Sequence, residues 1–563
     1  MTDRPAKGPR PAAVRRLPLG VLLGACLVVV LAAAGILSSV AGLPWLSGAG
    51  TARTGGAAGC AGVAVRPGDD LQQAADTHPA GTTFCLTAGI HRLAQVVPKD
   101  GQRFIGEGER TVLSGARVLR AADARRAGPG RWYWDGQTQQ SDPWGTLVGP
   151  GHGQVPNEGD RYAEELFETP SGEASDPPVR LRRMVDPAQL GPGRWFLDQR
   201  AHRLYVADDP ATMGLIEASA TRMAIGANIP ATVRGVTIEN LVVEKYASPT
   251  QLAAVGGRGA IDWNLSWVTV RYNHGIGVEL GPGTVLAHCS IHHMGQEGLS
   301  GGGDARQRPT TVRSTEVAFN RTLTYDPDWD AGGAKFTRAY GRGLVVENSW
   351  FHHNEGYGLW LDIDNYDVTI RSNRIEANDR AGIFHEVSRR ARIYWNEVTD
   401  NSDGPDNQEF GGAGILLSNS AQADVHNNVV RDNDNGIFVF EDEKVTRWRA
   451  DSYRQGLPHI VGLRVHDNDV AMSRGITGMW VENGDPKAYW RPSNVRFEKN
   501  TYRLSGAKGR FLGPGNQIMS FAEWQDLGHD RNGRSLPAAG LGSLPAGATA
   551  FVMGDYGAQG GIQ

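Results

Sequence analysis

From Val236 onward, short β-branched runs alternate with Asn, Gly and Asp, and a helical apolar period is almost absent. Four segments share one pattern: Gly358-Leu-Trp-Leu-Asp-Ile-Asp, Gly382-Ile-Phe-His-Glu-Val-Ser, Gly414-Ile-Leu-Leu-Ser-Asn-Ser and Gly436-Ile-Phe-Val-Phe-Glu-Asp. Their spacings are 24, 32 and 22 residues. A second marker, Asn followed by a strand, recurs at Asn348, Asn373, Asn396 and Asn428, with spacings of 25, 23 and 32. Both markers place an insertion of about eight residues within 397–413. That segment is polar and turn-rich, so it reads as a loop on one face.

A period in the low twenties with two or three short strands predicts a β-solenoid, whose coils stack because none buries its apolar face alone. An asparagine at a fixed corner tolerates a left-handed backbone and can bond its counterparts on adjacent coils. The leucine pattern of a leucine-rich repeat is missing, and a propeller blade needs ~40–50 residues. Glycine is 74 of 563 residues with no Gly-X-Y period, which excludes collagen and fits many turns.

Both ends carry short capped helices: Asp69-Asp70-Leu-Gln-Gln-Ala-Ala-Asp, with Leu71, Ala74 and Ala75 apolar, and Ser520-Phe-Ala-Glu-Trp-Gln. The first would plug the opening coil and block edge pairing. Residues 121–220 break the repeat. They hold Trp132, Trp134, Trp144 and Trp195 and the hairpin-like Arg194–Asp198 and Arg203–Val206, and read as an inserted β-rich subdomain.

The start of the chain is different again. Arg4, Lys7, Arg10, Arg15 and Arg16 precede a charge-free stretch from Leu17 to Ala52. Its apolar heart, Leu19 to Leu43, is 25 residues, enough to cross ~30 Å of hydrocarbon as a helix. The flanking charge puts the start in the cytoplasm and the rest outside. The expected domains are 1–46 basic start and transmembrane anchor, 47–59 flexible linker, 60–120 N-terminal cap and first coil, 121–220 insertion, 221–535 parallel β-helix with its C-terminal capping helix, and 536–563 disordered tail. The expected location is the cell membrane, single-pass, with the folded part extracytoplasmic; the alternative is secretion after signal cleavage. Disulfides persist there, and Cys60 with Cys85 is the favoured pair, leaving Cys289 as a buried small hydrophobe. A near-neutral balance, 57 basic against 61 acidic residues, argues against a nucleic-acid partner.

The strand-Asn-strand-Gly pattern over roughly residues 225–515 resembles the right-handed parallel β-helix proteins of the pectin-lyase-like superfamily. The resemblance implies an all-β fold and activity on carbohydrate. Lyases of that superfamily use a basic residue, often with calcium, and polygalacturonase-type hydrolases use an adjacent Asp pair. This chain has Asp362-Ile-Asp364 instead, its Gly-His-Gly at 151–153 lies in the insertion, and there is no Arg-Ile-Lys motif, so those roles do not transfer. Trp-x-Asp-x-Asp followed by Phe-His-Glu looks more like β-helix glycosidases with acids on neighbouring coils.

Alternation predicts which side chains face out. Trp360, Asp362 and Asp364 point out of one coil, and Phe384, Glu386 and Ser388 out of the next; Leu359, Leu361, Ile363, Ile383, His385 and Val387 point in. Trp360 then stacks on Phe384, Leu416 and Phe438, Asp362 on Glu386, Ser418 and Phe440, and Asp364 on Ser388, Ser420 and Asp442. Parallel strands lie ~4.8 Å apart, so Asp362 and Glu386 crowd each other, which raises one carboxyl toward a general acid. Glycoside hydrolysis uses carboxyl pairs ~5–5.5 Å or ~6.5–9.5 Å apart, and this ladder offers one of each kind. Trp360 and Phe384 are expected as sugar platforms, with Lys335, pointing out beside Trp360, and Arg389 as further substrate contacts. Asp326-Pro-Asp-Trp-Asp330 reaches the same groove. His292-His293, His352-His353 and Glu355 are read as turn residues rather than a metal site.

The resulting expectation is a monomeric, membrane-tethered hydrolase acting on a polysaccharide, with Asp362 and Glu386 as the acid/base pair, Asp364 as helper or alternative base and no cofactor. The alternatives are a lyase or uronate epimerase with calcium and an essential Lys335 or Arg389, or a non-catalytic glycan-binding scaffold.

Overall fold

The computed structural model describes residues 60–148, 156–402, 411–441, 459–481, 494–505, 509–514 and 517–537. The expected membrane anchor and linker, the expected tail from residue 538 on, the Gly-His-Gly at 151–153, Asp442 and residues 403–410 of the 397–413 loop lie outside them. No helix among the described residues is long and apolar enough to cross a membrane.

The body is a solenoid of parallel strands in three ladders. Two ladders are joined through the long strands Thr237–Glu244 and Asn264–Arg271, each of which spans both. The third is a separate sheet running through Gly332–Gly341, Leu359–Asp362, Ile383–Glu386, Ala413–Ser418 and Asn435–Glu441. The reason is local. The strands are two to ten residues long, and residues in left-handed backbone, such as Trp267 within the long strand Asn264–Arg271 and Tyr272, Ser372 and Asn427 just after strands, turn the chain onto the next ladder. Inward residues of all three ladders meet in one core that includes Ile291, Val346, Leu359, Leu361, Ile370, Ile383 and Ile415, each fully buried.

Asparagine fixes the register from inside. Asn373 donates from Nδ2 to Asn396 Oδ1 at 2.9 Å and to the Val346 carbonyl at 3.0 Å, while its backbone N–H donates to the same Asn396 Oδ1 at 3.1 Å. Asn396, Asn428, Asn468 and Asn500 repeat this, and Asp530 ends the ladder by accepting from Asn500 at 2.9 and 3.0 Å. A parallel ladder at a second corner runs Asn320, Asn354, Asn378, Asn401 and Asn433. The marker Asn348 is one residue off: it sits exposed in left-handed backbone, and Ser349 occupies the ladder position, donating its N–H to Asn373 Oδ1 at 3.0 Å.

Both ends are closed. The helix Leu71–Thr77 is capped by Asp70, which accepts from Gln73 N–H, and buries Leu71 and Ala75. The helix Phe521–Asp526 starts at a Ser520/Glu523 capping box and buries Trp524, whose Nε1 donates to Asp530. Cys60 and Cys85 form a disulfide, and Cys289 is buried and free. The insertion carries an eight-stranded sheet with its own core of Trp134, Leu166, Trp195, Leu204 and Ile216. It is pinned to the solenoid by buried polar contacts: Glu217 with Lys245 and with Arg92, both at 2.5 Å, and His274 between Glu165 and the Tyr325 hydroxyl.

Removing one rung tests the ladder. Asn396→Ala leaves the Asn373 N–H and the Ile370 carbonyl without their partner in the dry interior. It should cost about 1–3 kcal/mol in thermal or urea unfolding. An unchanged midpoint would show that the ladder is ornamental.

Candidate active site

The chemistry lies on the outer face of the third sheet, where register stacks side chains in columns. Lys335 pairs with Trp360, then Phe384, Leu416 and Phe438. The next outward column runs Thr337, Asp362, Glu386, Ser418, Phe440 and Trp480; Asp362 and Glu386 are brought together because Leu361 faces His385. His385 points inward, fully buried, with Nδ1 2.7 Å from Ser420 Oγ, and burial pushes it down to about 3. It touches no carboxylate among its described contacts, so it braces the coil.

Lys335 sits at the centre. Its ammonium is 3.1 Å from Asp362 Oδ2, lies 3.7 Å over the Trp360 ring and donates to the Trp329 carbonyl. Burial opposes its charge, but Asp362, Asp330 and Glu297 outweigh burial and hold it above the usual lysine range. Glu386 accepts from Trp360 Nε1 at 3.0 Å. One interlocked unit therefore links Lys335, Asp362, Trp360 and Glu386.

Two expectations are corrected here. Trp360 and Phe384 face out, but they are only 5% and 7% exposed. The indole has Lys335 on the side of the preceding coil and Phe384 stacked at 5.5 Å on the other, with Tyr357 against both rings. They form a packed aromatic floor, not open platforms. Asp364 leaves its predicted column. Ile363 and Asp364 both take left-handed backbone, with φ of 54° and 64°, so the coil gains a residue. Tyr366 pairs with Arg389, 23 residues on, whereas Trp360 pairs with Phe384, 24 on. Asn365 then bonds Ser388, and Asp364 turns to the Tyr340 hydroxyl at 2.5 Å. Alternation fails because it assumes extended backbone. Arg389 likewise lies at the Tyr366 corner rather than beside Asp362.

Other acids join from positions that alternation hides. Asp330 ends the short helix Pro327–Asp330, and its carboxylate accepts from Gln251 Nε2. Burial pushes it up, opposed by Lys335 and Gln251. Glu297 opens the strand Glu297–Ala305. Gly298 and Leu299 both face the interior, an irregularity that leaves Glu297 facing the cluster. It is buried, its Oε2 has no partner, and burial with Asp330 nearby drives it well up. Glu279 is also raised by burial, against Arg258 at 3.1 Å. The Asp326–Asp330 motif was the only sequence signal for this group; Glu297 had none.

No group of three or more His, Cys, Asp or Glu side chains among the described residues is arranged to hold a metal ion. At the acid cluster the Lys335 ammonium takes the central position a cation would need, so these residues do not fit calcium. At the turns, His292 and His293, and His352 and His353, pair through their Nδ1 atoms at 2.8 and 2.9 Å; Glu316, not Glu355, meets His352.

The family described as right-handed β-helix region matches residues 253–408. A solved structure, XylC in complex with xylose, superposes with a TM-score of 0.55 at 11% identity, over 84% of this chain and 83% of that one. The chain folds as a right-handed parallel β-helix. Further solved structures superpose with lower scores. The A-module of the Azotobacter vinelandii mannuronan C-5 epimerase AlgE6 gives a TM-score of 0.43 at 10% identity, over 83% and 92% of the two chains. A protein titled glycoside hydrolase gives 0.37 at 13%, over 79% and 92%. No curated protein matches the sequence.

Glu297 gives a pH test. Its folded value lies above the ~4.3 of an unfolded glutamate. The neutral form is therefore favoured in the fold, and that stability is present below ~4.3 and lost as pH rises through the raised value. Glu297→Gln should raise the melting temperature at pH 7 and above and flatten its fall with pH. A lower melting temperature at pH 8 would show that the charge is needed.

Proposed function

We propose that this β-helix is an enzyme that hydrolyses a glycosidic bond in a polysaccharide. The observation that carries the reading is the contrast between neighbouring carboxyls on one face: Asp330 is pushed toward its protonated form by burial, while Asp362 is salt-bridged to Lys335. Pairs of acids held in different environments are what glycoside hydrolysis needs. Asp330 gives its proton to the leaving oxygen. Glu386, steered by Trp360 Nε1, takes a proton from the attacking water. Asp362 faces the positive charge that develops at the sugar ring. The sugar in the XylC complex accords with a carbohydrate ligand on this fold.

The lyase or epimerase reading is weaker. It asks Lys335 or Arg389 to act as a base or to bind a uronate. Lys335 is held protonated and already paired with Asp362, and Arg389 lies at another corner. We place the body of the chain outside the cytoplasm, tethered by residues 19–43; the Cys60–Cys85 disulfide supports an oxidising compartment.

The full chain in detergent should release reducing ends from at least one polysaccharide, with or without chelator. Asp330→Asn and Glu386→Gln should each cut turnover by roughly 10²–10⁴-fold. Absorbance from unsaturated products would establish the lyase instead. Binding without any cleavage would favour the scaffold.

A further inference from the structure

The insertion delivers one aromatic side chain to the edge of this site. Residues 144–148 lie against the segment that leads into Asp330: Leu147 bridges Tyr325, Val148 N–H donates to Thr324 and Asp326 N–H donates to Thr146. Trp144 is fixed at both backbone groups, its N–H donating to Arg161 at 2.9 Å and its carbonyl accepting from Thr250 at 3.0 Å. Gly145 secures the close approach. A Cβ there would meet Tyr325 Cε1 at 2.7 Å, in a backbone with φ of 104°. On this rigid backbone Trp144 is nevertheless 48% exposed. Its neighbour is Trp329, ring centroids 5.7 Å apart, and Trp329 is the residue before Asp330 and the carbonyl that holds Lys335.

An exposed apolar surface on a rigid frame, continuous with a polar site, is what a ligand face looks like. The charge around it narrows the ligand. Lys335 is paired with Asp362, Arg258 with Glu279, Arg380 with Asp328 and Arg161 with Glu158, so each of these cations is already matched by an acid rather than set aside for an anionic sugar. Building on the hydrolase reading above, we propose that Trp144 and Trp329 form a subsite that stacks one sugar ring of a neutral polysaccharide, next to the bond placed at Asp330. The two rings offer flat apolar faces to the C–H face of a sugar, which an aromatic side chain takes at low cost in order. The open platform is then supplied by the insertion, and the coil residues Trp360 and Phe384 form the floor beneath the acids.

The test titrates the full chain with soluble arabinoxylan, mixed-linkage β-glucan and galactomannan as neutral probes, and with alginate and polygalacturonate as acidic ones. Tryptophan fluorescence reads binding, and reducing ends read cleavage. At least one neutral probe should bind. Trp144→Ala should weaken it about tenfold and raise KM more than it lowers kcat, with the melting temperature unchanged, and Trp144→Phe should keep most of the affinity. Unchanged affinity and KM in Trp144→Ala would overturn the subsite, as would binding confined to acidic probes or no binding at all. Trp144-dependent binding without cleavage would sink the hydrolase reading and leave the subsite standing.

Discussion

Everything in this protein depends on the coil-to-coil register. Parallel strands repeat every ~4.8 Å, so once two coils are aligned, every side chain has a defined neighbour above and below. The backbone bonds alone would allow a slip of register. The asparagine ladders oppose it, because each amide must meet both the next coil's amide and a carbonyl of the coil before. A slip would strand those groups where no water reaches them. The helices at each end protect the outermost coils from the same edge-pairing chemistry.

On the outer face that register concentrates charge. Acids from the strands, with Asp330 from a short helix, gather around one lysine, an arrangement that would be strongly unfavourable without Lys335. The lysine is held by three kinds of contact at once: a carboxylate, a carbonyl and an aromatic face. Its long stem reaches across the sheet, and its ammonium cannot leave without exposing Asp362 to Asp330. The same lock explains why the aromatic column is buried. Trp360 spends one face on Lys335, the other on Phe384, and its N–H on Glu386.

The insertion is more than a passenger on this frame. Its core is separate, but its anchor points, Glu165 to His274 and Thr146 to Asp326, fall beside the segment that carries Asp330. An element with no repeat of its own therefore shapes the rim of a site built from repeats.

The repeat pattern by itself determined the solenoid, the coil length, the stacking of Trp360 on Phe384 and of Asp362 beside Glu386, and the inward core apart from Ile363, which turns left-handed and stays half-buried outside it. These follow from local alternation and a fixed period, which depend only on neighbours along the chain. Three things it could not determine. Asp364 left its column because two successive residues turned left-handed. Glu297 entered the site through an irregularity at Gly298 and Leu299. The burial of Trp360, and the exposure of Trp144 beside Trp329, depend on contacts between residues far apart in sequence. Periodicity describes one strand at a time, and a site is made where several strands and an insertion meet; only the tertiary structure decides that.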